Sequence, residues 1–109
     1  MGQHFLVDLF EVDRLLLEDM QSFIDFIRPL LRECMAEVLS DCYHKFPGEG
    51  GYTYLALLST SHFSAHSWPE KNSIAIDMFS CGSIQSEHLV SEVLRYFKPQ
   101  SYNIKKVVR

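Results

Sequence analysis

The chain has 109 residues and a formal net charge of −4. That length holds one core and leaves no room for a second. An acidic balance without runs of like charge argues against a nucleic-acid face or an electrostatic membrane anchor, and no apolar run approaches the ~20 residues a membrane span needs.

The N-terminal "MGQHFLVDLFEVD" has no basic n-region and is interrupted by Asp8, so it does not read as a secretory signal. Leu6 stands where a myristoylation motif needs Ser or Thr. Gln3 to Val12, rich in Phe, Leu and Val, reads as a buried strand, with Asp13 a turn or cap. From about Asp19 to Met35, the residues Met20, Phe23, Ile24, Ile27, Leu30, Leu31 and Met35 recur at helical spacing. Pro29 lies inside that pattern and predicts a kink or broken turn. Glu37 to Phe46 reads as a second strand and "PGEGG", Pro47 to Gly51, as a loop. Tyr52 to Ser59 and His62 to Ser67 are the next two strands, stopped by Pro69 and a turn over Glu70 to Asn72.

Ser73 to Cys81 alternates, with Ile74, Ile76 and Met78 on one face and Ala75, Asp77 and Phe79 on the other. Ser86 is placed to cap a helix with the stripe Leu89, Val90, Val93, Leu94 and Phe97, ended by Pro99. Ser101 to Val108 is the last strand. The order β-α-β-β-β-β-α-β predicts an α/β (α+β) two-layer sandwich: one mainly antiparallel sheet with two helices on one face. The other sheet face then needs a partner or a polar finish. Cys34, Cys42 and Cys81 are odd in number and widely spaced. They fit free thiols in a reducing cytoplasm better than a disulfide framework or zinc ribbon.

Leu55 to Ser83 crowds serines, two histidines and a cysteine between apolar runs. His62 and His66 are four apart, but on a strand their side chains stand ~13 Å apart, too far to share one zinc. No metal site is expected. No G-x-S-x-G elbow marks a serine hydrolase. From composition alone, serines at sheet edges, a satisfied core histidine and a buried thiol would account for the segment.

A combined pattern points elsewhere. Ser61-His62 is followed by His66-Ser67-Trp68-Pro69-Glu70 and then by Asp77-Met78-Phe79-Ser80-Cys81-Gly82. With "GQHFLVDLFEVD" at Gly2 to Asp13 and "YHKF" at Tyr43 to Phe46, this resembles the pyruvoyl-dependent S-adenosylmethionine decarboxylases of bacteria and archaea. The likeness covers nearly the whole chain, although the long C-terminal tail of some members is missing. It implies decarboxylation of S-adenosylmethionine to supply aminopropyl groups for spermidine synthesis. The cofactor would be a covalent pyruvoyl group that the chain makes from Ser61.

In that scheme the Ser61 hydroxyl attacks the Thr60 carbonyl and turns the peptide into an ester. A base removes the Ser61 α-proton, the ester is eliminated, and hydrolysis of the dehydroalanine leaves the pyruvoyl group. The products are fragments 1–60 and 61–109. The resemblance gives His66 the role of processing base and Cys81 that of proton donor in turnover. Thr53 aligns with a serine that assists processing. Phe46 and His66 resemble the adenine-stacking pair, and Glu70 is the ribose-binding candidate. It also implies a homodimer with sites near its interface. Two features depart from the family. Thr60 replaces the usual Glu and, being β-branched, crowds the carbonyl under attack; the Pro47–Gly51 loop is one residue longer. Two alternatives stay open: a pyruvoyl-dependent arginine or ornithine decarboxylase on the same fold, or an unprocessed regulatory paralogue.

Overall fold

In the computed structural model, which describes all 109 residues, six strands form one antiparallel sheet. They are β1 (Gln3–Phe10), β2 (Val38–Lys45), β3 (Tyr52–Leu58), β4 (His62–Trp68), β5 (Ser73–Ser80) and β6 (Ser101–Val108), in the spatial order β2-β3-β4-β5-β1-β6. Burial alternates with period two along β1, β3 and β5. The helices are α1 (Arg14–Glu18), α2 (Met20–Glu33) and α3 (Ser86–Phe97). The layered architecture is as the sequence predicts, with one helix more. At five residues, α1 is too short to show periodicity. Asp13 caps it, accepting from the Leu15 N–H at 2.9 Å.

α2 presents Phe23, Ile24, Ile27, Leu30 and Leu31 to the core, and α3 presents Leu89, Val93 and Phe97. They meet the inward residues Phe5, Val7 and Leu9 of β1, Tyr52 and Tyr54 of β3, Phe63 of β4, and Ile74, Ile76 and Met78 of β5. Phe23 sits at the centre, its ring 5.4 Å from Tyr52 and 5.8 Å from both Tyr54 and Phe97. The Arg28 guanidinium grips Asp41 with bonds of 2.7 and 2.9 Å, and Asp41 also accepts from the Tyr54 hydroxyl at 2.8 Å. This ties α2 to β2 and β3.

Three local expectations change. α2 runs through Pro29 without a break. Pro29 faces solvent, and its buried neighbours Ile27, Leu30 and Leu31 fasten the helix on both sides. Met35 lies beyond the helix end, exposed at φ 69°, and Cys34 takes the buried place. Ser86 is not the cap of α3. Gln85 holds that position, and Ser86 is the first helical residue, buried and donating its hydroxyl to Ser80 Oγ at 2.7 Å.

No helix covers the opposite sheet face. It carries Leu6, Phe10, Leu55, Leu57 and Trp68, all substantially exposed. The register sets its residues in rows. Thr53, His66, Ala75, Asp8 and Asn103 form one row across β3, β4, β5, β1 and β6; Leu57, His62, Phe79, His4 and Val107 form another.

Candidate active site

The β3–β4 hairpin turns through Ser59 and Thr60, closed by the Leu58 N–H donating to the Ser61 carbonyl at 3.0 Å. Ser61 therefore ends a tight turn and is buried. β5 runs alongside with His62 opposite Phe79. Extending that register by two residues sets Cys81 opposite Thr60, and three contacts follow. The Cys81 N–H donates to Ser61 Oγ at 3.1 Å. The Cys81 thiol donates to the Thr60 carbonyl at 3.0 Å, and its sulfur lies 3.6 Å from Ser61 Oγ. The Thr60 hydroxyl stands 3.4 Å from Ser61 Oγ. Hydrogen bonding from the side chain of Thr60, and after it from that of Ser61, favours the thiolate and lowers the Cys81 thiol below its ordinary pKa. Cys34, by contrast, is pushed up by burial.

This arrangement presents a hydroxyl, an adjacent peptide carbonyl, and a thiol hydrogen-bonded to that carbonyl's oxygen. A donor on a carbonyl oxygen stabilises the negative charge that develops there under attack. The chemistry it suits is acyl shift at the Thr60–Ser61 bond.

A second group gathers at the other end of β4. Thr53 and His66 are direct cross-strand partners, and the Thr53 hydroxyl and His66 Nδ1 share a hydrogen bond of 3.2 Å. His66 stacks on Trp68 at 6.2 Å between ring centres. These residues line a cavity of about 340 Å³ with Phe46, Glu49, Gly51 and Glu70, a size that suits a small molecule. Beneath it, the Tyr52 N–H donates to Ser67 Oγ at 2.9 Å, and that hydroxyl donates to the Leu17 carbonyl at 2.8 Å. Gly51 is required here: a Cβ would lie 2.6 Å from the Ser67 carbonyl oxygen.

All the sequence-predicted residues thus lie in two groups: Thr60, Ser61 and Cys81 in one, and Phe46, Thr53, His66 and Glu70 in the other. Within one chain the groups are separate. His66 follows Ser61 by five residues, roughly 16 Å along a strand, so it does not reach its own Ser61. Sequence reasoning missed Trp68 and Glu49 as cavity walls, although both stand inside motifs it had marked. It also missed a cluster on the open face. His62 gathers there with His4 and Asp77, their donor atoms within 4.8 Å of one another. Asp77 Oδ2 lies 3.4 Å from His4 Nε2, and Oδ1 accepts from Ser64 at 2.5 Å. Cross-strand pairing, invisible as a motif, makes that cluster.

Residues 3–109 match the family model described as S-adenosylmethionine decarboxylase. The chain belongs to the S-adenosylmethionine decarboxylase family. It is 37% identical over 109 residues to S-adenosylmethionine decarboxylase proenzyme 2 of Bacillus cereus, covering 99% of this chain and 88% of that protein. It is 29% identical to the S-adenosylmethionine decarboxylase proenzyme of Methanococcus maripaludis, covering 100% and 89%. The crystal structure of the adenosylmethionine decarboxylase from Aquifex aeolicus superposes with a TM-score of 0.91 at 23% identity, over 100% of this chain and 90% of that one. The Trypanosoma brucei AdoMetDC monomer gives 0.61 at 16% identity, over 94% of this chain and 44% of that one. Both structural likenesses concern the fold. The family membership makes the chain an enzyme of the decarboxylase class. No helix is long and apolar enough to cross a membrane.

Proposed function

We propose that the chain is a proenzyme that converts Ser61 to a pyruvoyl group and, with it, decarboxylates S-adenosylmethionine. The observation that carries the reading is the contact of Cys81 with both partners of the bond to be broken. Its thiol lies on the Thr60 carbonyl oxygen and its backbone N–H on Ser61 Oγ.

In processing, Ser61 Oγ adds to the Thr60 carbonyl carbon, and the Cys81 thiol stabilises the oxygen that becomes negative. Collapse of the adduct breaks the C–N bond and leaves an ester. Loss of the Ser61 α-proton expels the Thr60 carboxylate, and water releases ammonia from the dehydroalanine. The new fragment begins with pyruvoyl at position 61. That group supplies a ketone able to accept the electrons left when carbon dioxide departs. Cys81 then stands at the reacting end with a proton to give. Phe46, His66 and Glu70 hold the nucleoside: aromatic faces for the ring and sulfonium, a carboxylate for ribose hydroxyls. Thr53 orients His66.

The separation of the two groups makes a homodimer part of this reading. Two open sheet faces pack ~10 Å apart. A two-fold axis lying between them, across the strands near Ser64, reverses β4 relative to its copy. The partner's His66 then comes over Ser61, where it serves as the base, and the exposed Leu6, Leu55 and Leu57 are buried. Each dimer would hold two composite sites.

Intact mass spectrometry, followed by carbon-dioxide release from S-adenosylmethionine, arginine and ornithine, tests the proposal. Two fragments, the second blocked at its N-terminus, and release from S-adenosylmethionine alone are expected. A chain that stays whole after long incubation refutes self-processing, and release only from arginine or ornithine refutes the substrate.

A further inference from the structure

The cavity between the Pro47–Gly51 loop and β4 has two carboxylates, and only Glu70 has so far been given a role. Glu49 comes from the loop, Glu70 from the turn after β4, and both line the cavity with Phe46, His66 and Trp68. Glu49 is exposed and pairs with Arg14 at the cavity rim. Arg14 Nη2 donates to its Oε2 at 2.8 Å, while Arg14 Nε donates to Glu18 at 2.7 Å. Lys45 Nζ donates to the Gly50 carbonyl at 3.2 Å and to the Glu18 carbonyl. The loop is thereby fastened to α1 at two points, and Arg14 occupies one Glu49 oxygen while leaving Oε1 available.

We infer that Glu49, oriented by Arg14, determines specificity by accepting a hydrogen bond from the exocyclic amine of the substrate's adenine. The inference rests on the proposed S-adenosylmethionine reading and deepens it. A purine stacked between aromatic walls offers only its edges to polar groups. An adenine nucleoside carries its donors at two places, the ribose hydroxyls and the exocyclic amine. Ionised carboxylates are acceptors only, so two of them match those two donor positions. With Glu70 on the ribose, Glu49 faces the amine. A charge-assisted bond of this kind is stronger than a neutral one. A base bearing a 6-oxo group instead would set its oxygen against the carboxylate, adding repulsion to the lost bond.

The test is titration calorimetry on the cleaved, full-length protein with 5′-methylthioadenosine and its 6-oxo counterpart, 5′-methylthioinosine. Wild type is expected to prefer the amine form at least tenfold. Glu49→Ala should bring the two affinities within about threefold by weakening the adenosine form. Glu49→Gln, which keeps an acceptor oxygen, should retain part of the preference. Arg14→Ala should reduce the preference by loosening the carboxylate, and Glu70→Ala should weaken both ligands equally with the ratio intact. A wild type without preference, or Glu49→Ala with the wild-type ratio, overturns the inference while leaving S-adenosylmethionine turnover standing. A wild type that binds neither nucleoside, yet releases carbon dioxide from arginine or ornithine, overturns the substrate reading and this inference with it.

Discussion

Replacing Cys81 by alanine should slow self-cleavage as well as turnover. The thiol is 3.0 Å from the oxygen of the Thr60 carbonyl that Ser61 must attack. Deleting one donor from an oxyanion site commonly costs ~10²–10³ in rate. A thiol is a weak donor, so the loss belongs at the lower end, about 10²-fold. The Cys81 N–H to Ser61 Oγ is a backbone contact and survives the substitution, which keeps Ser61 positioned and cleavage measurable. Cys81→Ser retains a donor and should process faster than alanine. In turnover it offers a hydroxyl, a far weaker acid, so proton delivery should fall ~10²-fold or more. The assay is a time course of intact mass after rapid purification, followed by single-turnover carbon-dioxide release on the cleaved fraction. Identical cleavage half-times for wild type and Cys81→Ala would refute the reasoning, because the observed contact would then contribute nothing to the barrier.

Ser61→Ala removes the nucleophile and should remain a single uncleaved chain under conditions that convert wild type to fragments 1–60 and 61–109; any cleavage at position 60 by mass spectrometry counts against Ser61. The lowered Cys81 pKa predicts that, in the uncleaved chain with Cys42→Ser, alkylation reaches half its maximal rate at a lower pH than for a free thiol. Cleavage removes the Ser61 hydroxyl and the Thr60–Ser61 peptide, so the midpoint should move up toward the free-thiol value in the processed protein; an identical midpoint before and after cleavage would separate the shift from those contacts. Phe23→Ala, at a fully buried position ringed by Tyr52, Tyr54 and Phe97, should cost ~3–5 kcal/mol in urea unfolding, and a loss under 1 kcal/mol would contradict the packing described. Sedimentation should show a dimer at micromolar concentration, and Leu55→Glu on the open face should shift it toward monomer; a wild-type monomer with full processing would eliminate the two-chain site.

The longer core elements were legible in the sequence because each carries its own period, whereas the five-residue α1 was not. Ile74, Ile76 and Met78 announce β5 by alternation, and Leu89, Val93 and Phe97 announce α3 by helical spacing. Local context was harder to read. Ser86 has the right chemistry for a cap, but burial against Ser80 claims its hydroxyl, and Pro29 is tolerated because its neighbours are anchored in the core. The site residues were nameable because they cluster in a few short motifs whose order is linear. Their roles toward one another were not. Whether Cys81 meets Thr60, whether Thr53 meets His66, and whether His62 meets His4 depend on strand register, and register is set by which apolar face the sheet buries. The sequence by itself determined the elements, the reactive residue types and the family likeness, since all three reside in neighbouring positions along the chain. Tertiary structure alone decided that those residues form two groups at opposite ends of one strand, because a strand is stiff and its length, roughly 3.3 Å for every residue, keeps Ser61 and His66 of the same chain apart.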